Sequence, residues 1–343
     1  MRIAIHNNKD SFASKWIEYC KNNNYDYEVV NCYDSRIMEI MKDFDILLWH
    51  YQQSNATDNF LAKKLLESLQ FSGKLVFPNH NTGWHFDDKV AQKYLLEGLN
   101  IETPKNYVFY DLKALKKFSG DVQYPIVWKL KGGSGSRNVK LVHSAPELLG
   151  IGKRMFGRGI REYDSWNGLK ETIRKYKMGN RKFKDILKAF AHLIYPVRYE
   201  RMSGRAWGYM YLQEFIPKND SDYRVIVIKN RAFAIKRYTR PNDFRASGSG
   251  YIEYKKELFS DKLILKAFEI AKKVRAQSIA FDFVYREEQP LLVEMSYGFR
   301  KEAYYNCEGY WDESLNWFPG VFNPYAWMIE DLKTEFLERR ENK

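Results

Sequence analysis

The sequence predicts an α/β protein, with an N-terminal parallel-sheet domain followed by hairpin-rich α+β segments. Three observations carry that expectation. Residues 1–80 alternate short apolar strands with helices, and the stretches 124–142, 224–237 and 279–297 each read as an antiparallel hairpin. A chain of 343 residues is also long enough for a large core divided into two or three subdomains. With 45% hydrophobic and 29% charged residues, the composition is that of a soluble globular protein. The N-terminus has no basic segment leading into an apolar run, so no signal peptide is expected. No stretch approaches the roughly 18 uninterrupted apolar residues of a membrane-spanning helix. Cys20, Cys32 and Cys307 fit no metal or redox spacing and read as reduced thiols, which places the protein in the cytoplasm.

Residues 1–7 form the first strand, and residues 10–22 a helix with Ser11 near its cap. Residues 27–33, 35–42, 45–51, 59–69 and 74–80 follow as strand, helix, strand, helix and strand. Such alternation predicts a parallel sheet covered on both faces. No glycine-rich phosphate loop follows the first strand, so dinucleotide binding is not expected and the domain reads as a substrate platform.

Asp87 or Asp88 caps a helix over residues 89–96, Gly98 ends it, and Pro104 precedes a strand. Lys89 in the first turn opposes the helix dipole, which favours anions there. A phosphate sharing the site would explain it, and so would a solvated surface lysine. Residues 124–142 read as strand, glycine-rich loop and strand, with the loop 132–137 lying as a flap. Glycines let backbone N–H groups approach phosphate oxygens, and Lys129 on the preceding strand adds a point charge. The loop is not a GxxxxGK[ST] phosphate loop.

The net charge of +13 is concentrated: residues 151–206 hold 15 Lys/Arg against 5 Asp/Glu, a net of +10. Two helices are expected there, over 166–177 and 181–194. The second carries Phe183, Ile186, Leu187, Phe190 and Ile194 on one face. A helical insert packed on the body explains this segment, and so does a basic surface for an anionic acceptor or for lipid headgroups. No nucleic-acid motif accompanies the charge, so nucleic acid is not the expected partner.

Residues 209–216 form a strand ending in a hinge before Pro217, and residues 224–237 a hairpin turning at 229–230. Arg237, Arg240 and Arg245 are expected to converge with a second small-residue loop, 247–250, near Asp222 and Asp243. Phosphate or carboxylate binding would use them so, and surface charge at strand ends would look the same. The last hairpin has strands over 279–285 and 291–297 and a turn over 286–290. Centring the turn on Glu288 sets Asp282 opposite Glu294 and Ala280 opposite Ser296. Side chains so paired lie about 5 Å apart, and like charges there repel. Two carboxylates among apolar neighbours need a cation between them, unless that face is solvated. Mg²⁺ takes carboxylate oxygens and commonly bridges them to a nucleotide's phosphates.

In this order, PNHNTGWHFDDK, YPIVWKLKGGSGSRNVKLV, YLQEFIPKNDSDYRVIVIKNRAFAIKR, NDFRASGSG and AFDFV…LLVEMSYGF resemble the ATP-grasp superfamily of carboxylate–amine ligases. The similarity runs over residues 77–298, nearest the branch of bacterial glutathione synthetase and the glutamyl ligase that modifies a ribosomal protein. With the tail GYWDESLNWFPGVFNPYAWM, it also resembles ATP-grasp proteins of surface-polysaccharide and lipopolysaccharide biosynthesis. The resemblance implies an ATP-grasp fold: a preceding α/β domain (1–100), a lid lobe (101–206) with the basic insertion 151–206, and a C-terminal lobe (207–343) with a metal site, the two lobes clasping ATP.

It further implies roles. Lys89 and Lys129 hold ATP phosphates; Gly132, Gly133, Ser134 and Gly135 close over them. Gln213, Glu214, Phe215 and Ile216 form the hinge, with Glu214 and the Ile216 backbone reading adenine. Asp222 precedes the substrate- and phosphate-side Arg224, and Arg237 and Arg245 stabilise an acyl phosphate. Asp282, Glu294 and Ser296 stand at the positions of the ligands for Mg²⁺ or Mn²⁺. Where the family has Glu-x-Asn, this chain has Glu294-Met295-Ser296, and serine is the shorter, weaker ligand. An ATP-binding, non-catalytic regulator or scaffold is therefore the second reading. The implied partners are a small-molecule or glycan carboxylate and an amine, such as an amino acid. A lipid-linked acceptor or the membrane would meet residues 151–206, and a homo-oligomer is compatible with the family.

Overall fold

Four short strands open the chain: β1 (Arg2–His6), β2 (Asp26–Val30), β3 (Ile46–Leu48) and β4 (Leu75–Phe77). They form a parallel sheet in the order β2-β1-β3-β4. The computed structural model describes residues 1–132, 138–161, 168–169, 172–173, 176, 182–194, 204–240, 243–245 and 250–342. The β3 and β4 sequences, Ile-Leu-Leu and Leu-Val-Phe, are buried throughout, as a sheet covered on both faces requires, whereas β2 is half exposed at the edge. The connecting helices are α1 (Ala13–Asn22), α2 (Ile37–Ile40), α3 (Ala56–Phe71), α4 (His80–Gly83) and α5 (Lys89–Gly98). In α1, Ala13, Trp16 and Cys20 form the buried stripe. Phe12 takes the N-cap position, and Ser11 accepts the Ala13 N–H at 3.2 Å. All three cysteines are free, and burial pushes the Cys20 and Cys307 thiols up to about 12, which leaves them poor nucleophiles.

The next segment contributes β5 (Asn106–Phe109), α6 (Leu112–Asp121), β6 (Ile126–Lys129), β7 (Val139–Val142), α7 (Ala145–Phe156), β8 (Ile160–Arg161), α8 (Phe183–Ile194), β9 (Arg205–Ala206) and β10 (Met210–Glu214). The antiparallel sheet runs β5-β10-β6-β7, and β8 pairs with β9. Helices α6 and α7 pack closely because Gly152 has no side chain; a Cβ there would stand 2.3 Å from Leu115 Cδ2. The helix expected over 166–177 lies largely outside the described residues.

The remainder forms β11 (Ser221–Ile228), β12 (Arg231–Tyr238), β13 (Ile252–Glu253), α9 (Asp261–Val274), β14 (Ser278–Arg286), β15 (Gln289–Ser296), β16 (Gly309–Asp312), β17 (Trp317–Pro319) and α10 (Pro324–Glu341). The sheet order is β15-β14-β11-β12-β16-β17, with β13 beside β12. Val225 and Val227 face α9 and its apolar stripe, whereas Ile226 and Ile228 share a core with the first sheet and α10. Met1–Gln52, Thr57–Pro104 and Ile216–Lys343 thus make one compact unit, and Gln53–Ala56 with Lys105–Phe215 a second. Among the described residues no helix is long and apolar enough to cross a membrane.

The β14–β15 hairpin corrects one expectation. Its strands run to Arg286 and Gln289, so the turn is Glu287–Glu288, with Glu287 at φ 55°, rather than 286–290. That tighter turn alone would shift the pairing by one residue. A bulge between Asp282 and Phe283, with Val293 as the extra residue opposite, shifts it back. Asp282 therefore faces Glu294, and Ala280 faces Ser296.

Candidate active site

The sequence S-D-Y-R-V-I-V-I of β11 alternates faces, and its even positions are the ones that continue, at Ile226 and Ile228, into the core shared with the first sheet. Asp222 and Arg224 stand on that inward face, where unpaired charges are expensive. Cross-strand register supplies their partners: Arg224 lies opposite Asp282 of β14, and Asp222 opposite Arg237 of β12. Arg224 donates from Nε and Nη2 to Asp282 Oδ1 and Oδ2 at 2.5 and 2.6 Å. Arg237 grips Asp222 in the same forked manner at 2.6 and 2.6 Å, and its Nη2 also stands 3.0 Å from Asp282 Oδ1. Burial pushes the Asp282 carboxyl up, but the Arg224 and Arg237 guanidiniums outweigh it and hold the group well below the usual carboxylate range. Tyr304, whose hydroxyl is pushed up to about 12 by burial, lies beside Arg224.

Glu294 has a different cation. Lys89, at the first position of α5, is 4% exposed and stands on the helix's buried stripe with Gln92 and Leu96. Its Nζ lies 2.9 Å from Glu294 Oε1. Burial alone would lower the Lys89 pKa; the Glu294 carboxylate more than offsets this and leaves it raised. Asp88 caps α5 by accepting the Val90 and Ala91 N–H groups. Gln92, not singled out from the sequence, brackets α5 to β15: its Nε2 donates to Met295 O at 2.8 Å, and its Oε1 accepts the Met295 N–H at 3.4 Å. A glutamine three residues after Lys89, on the same inward stripe, was the available signal.

The expected convergence of arginines resolves onto carboxylates. Arg245 pairs with Asp243, from Nε at 2.8 Å and Nη2 at 2.9 Å, with Arg240 at 3.9 Å from the same carboxyl group. Arg237 turns to Asp222 and Asp282 instead. The loop expected at 247–250 lies, except for Gly250, outside the described residues. Ser296 donates its hydroxyl to Gly298 O at 3.0 Å, and Ile216 is a buried residue at the start of this segment.

In the second unit, Lys129 of β6 and Gln213 of β10 are 6% and 3% exposed. Lys129 Nζ donates to Gln213 Oε1 at 2.7 Å, and Gln213 Nε2 donates to Asn106 Oδ1 at 2.9 Å, which also accepts the Tyr211 hydroxyl at 2.7 Å. Asn106 thus fixes the face of the Gln213 amide, a role its place at the start of a strand did not signal. Glu214 accepts the Lys105 N–H at 3.0 Å, and Phe215 closes the unit. Gly132 is described; Gly133, Ser134 and Gly135 lie outside the described residues.

Among the described residues no group of three or more His, Cys, Asp or Glu side chains could hold a metal. A hard-oxygen pair nonetheless suits Mg²⁺, which is typically held by one or two carboxylates together with substrate phosphates. A carboxylate offers about four acceptor sites. Arginine hydrogen bonds and the close Arg237 contact engage three at Asp282, leaving room for one further contact. The donor set of Asp282 and Glu294 therefore fits the ion.

Beside this segment sits His50, a second residue the sequence did not flag. It stacks on Phe12 at 3.6 Å, and its Nδ1 accepts the Phe12 N–H at 3.1 Å, so the neutral ring carries its proton on Nε2. A Cβ on Gly298 would stand 3.0 Å from that Nε2. Burial pulls the His50 pKa to about 3 and the His85 pKa to about 4, from an ordinary 6.5. Both are depressed, so their contribution to stability is complete above pH 6.5 and is lost as pH falls towards the folded values. Unfolding free energy should then drop by about 1.4 kcal/mol per pH unit for each histidine between pH 6 and 4. Urea midpoints against pH test this: His50→Gln should remove one proton's worth of slope, and an unchanged slope would mean that the folded protein protonates His50 freely.

No protein-family model matches the chain. The chain is similar to alpha-aminoadipate–LysW ligase LysX of Saccharolobus solfataricus, at 22% identity over 210 residues, which is 59% of this chain and 58% of that protein. It thus spans somewhat over half the length of that curated relative. Among solved structures, D-alanine–D-alanine ligase from Bacillus anthracis complexed with ATP superposes with a TM-score of 0.52 at 14% identity, covering 89% of this chain and 90% of its own. N5-carboxyaminoimidazole ribonucleotide synthetase from Thermotoga maritima gives 0.56 at 14%, covering 95% and 73%. A RimK domain ATP-grasp protein from Sphaerobacter thermophilus gives 0.52 at 15%, covering 96% and 98%. The fold is the ATP-grasp fold.

Proposed function

We propose that this protein is an ATP-dependent carboxylate–amine ligase that forms an amide through an acyl phosphate, releasing ADP. The observation that carries the reading is the matched pair Asp282 and Glu294, opposed on one hairpin and each held by its own basic residues within an ATP-grasp fold. The similarity to LysX, named for ligating alpha-aminoadipate and LysW, and to D-alanine–D-alanine ligase supports the substrate kind.

In this reading Lys89 and Lys129 hold ATP phosphates, Gly132 to Gly135 cover them, and Gln213 to Ile216 receive the base. Asp222 orients Arg237 through their forked pair. Arg224, Arg237 and Arg245 neutralise charge as the substrate carboxylate attacks the γ-phosphate. Asp282 and Glu294, with Ser296 beside them, would hold Mg²⁺ or Mn²⁺, which supplies Lewis-acid polarisation of the phosphates. The amine then displaces phosphate from the acyl carbon. The carboxylate is a uronic acid on a surface-polysaccharide or lipopolysaccharide precursor, and the amine an amino acid; the resemblance and the basic 151–206 segment support that choice.

The test is ADP release with ATP and Mg²⁺ across a panel of amino acids and uronic-acid sugars. Release that needs one carboxylate–amine pair supports the reading and names the substrates. Tight ATP binding without release across the panel, including a lipid-linked acceptor, would instead favour a nucleotide-binding scaffold, which the serine at position 296 and the pairing of Asp282 with two arginines also suit. An absence of ATP binding would overturn both.

A further inference from the structure

Helix α8 carries large apolar side chains on the outside of the protein. Phe183, Leu187 and Phe190, at i, i+4 and i+7, are 59%, 58% and 56% exposed, so they form one continuous stripe rather than scattered surface residues. Ile186 and Ala189, on the adjoining side, are half-buried. Lys182, Lys184 and Lys188 are exposed next to the stripe, and the Tyr176 ring meets Phe183 edge-on at 6.2 Å, extending the apolar surface by one more aromatic. The helix lies in the segment 151–206, with its net charge of +10.

We infer that α8 docks the protein on an anionic lipid surface. An interfacial helix buries an aromatic and aliphatic face at the level of the headgroups while lysines beside it extend to phosphate oxygens. Both halves of that arrangement are exposed here on one helix. The charge selects the occupant. A second copy of this chain would set one segment of +10 against another and be repelled. Duplex nucleic acid would satisfy the lysines through its phosphates and leave the phenylalanines in water. An anionic bilayer satisfies both, and the contact is peripheral, since no described helix is long and apolar enough to cross it. The inference stands apart from the ligase reading, because lipid binding requires no nucleotide.

The experiment is cosedimentation of the full chain with vesicles of phosphatidylglycerol and phosphatidylcholine in equal parts, and with vesicles of phosphatidylcholine alone. Binding to the first, weakened by salt, and little binding to the second is expected. Phe183→Ser/Leu187→Ser/Phe190→Ser should weaken binding at least about tenfold, since most of the insertion comes from these side chains. Lys184→Gln and Lys188→Gln should each weaken it about fivefold. These are surface residues, and the lysine variants keep the test intact if the triple variant folds poorly. Equal binding by the triple variant, or equal binding to neutral vesicles, overturns the inference. So does self-association without vesicles that the triple variant abolishes, which would make a second copy the occupant.

Discussion

Asp282→Ala should lower the unfolding free energy by about 3–5 kcal/mol, because it removes one member of a buried ion network. Asp282 is 8% exposed and Arg237 7%, so little solvent is available to replace the lost contacts. The substitution strips Arg224 of its forked partner and Arg237 of its second carboxylate, leaving two guanidiniums against Asp222. Arg224→Leu/Asp282→Leu removes a matched pair and keeps the Arg237–Asp222 fork, so it should recover most of that loss. Urea unfolding of the single and double variants separates the cases: a loss below about 1 kcal/mol for the single variant would mean that water screens the row. If the proposed chemistry is right, the recovered double variant is stable and inactive, which distinguishes a functional role for these groups from a structural one.

Glu294→Gln is expected to reduce ADP release by about 10²–10³ while the protein stays folded, the usual size for loss of one charge contact at a reacting phosphate. Its side chain is 29% exposed and the replacement is nearly isosteric, so packing is preserved. Lys89 loses the carboxylate that held its pKa up against burial, and the amine becomes easier to deprotonate. In the unsubstituted protein the Lys89 pKa is raised. The stabilisation from that pair is therefore complete below the ordinary lysine value of 10.5 and disappears only as pH rises above it. Activity between pH 6 and 9 should accordingly show no titration from Lys89. Steady-state rates and a thermal melt of the variant decide the matter: normal turnover would overturn the proposed metal-binding role of Glu294, and a collapsed melt would make it structural.

The alternation of residues 1–80 and the three hairpins were readable because strand and helix periods are local. Each strand announces its inward face within a few residues, and a parallel sheet with apolar strands on both faces leaves little choice of architecture. The Asp282–Glu294 pairing was reached through a five-residue turn; the structure reaches it through a two-residue turn and a bulge, two offsets that cancel. Tertiary structure alone decided which cation meets which carboxylate. Arg224 reaches Asp282, 58 positions away, because β14 lies between β11 and β15, and Lys89 reaches Glu294 because Gln92 holds α5 against β15. The same holds for the Lys129–Gln213–Asn106 chain and for His50 beneath Gly298. Side-chain alternation is set by each strand's own backbone, whereas an ion pair forms only where the order of strands brings distant charges together and burial leaves them no water to choose instead.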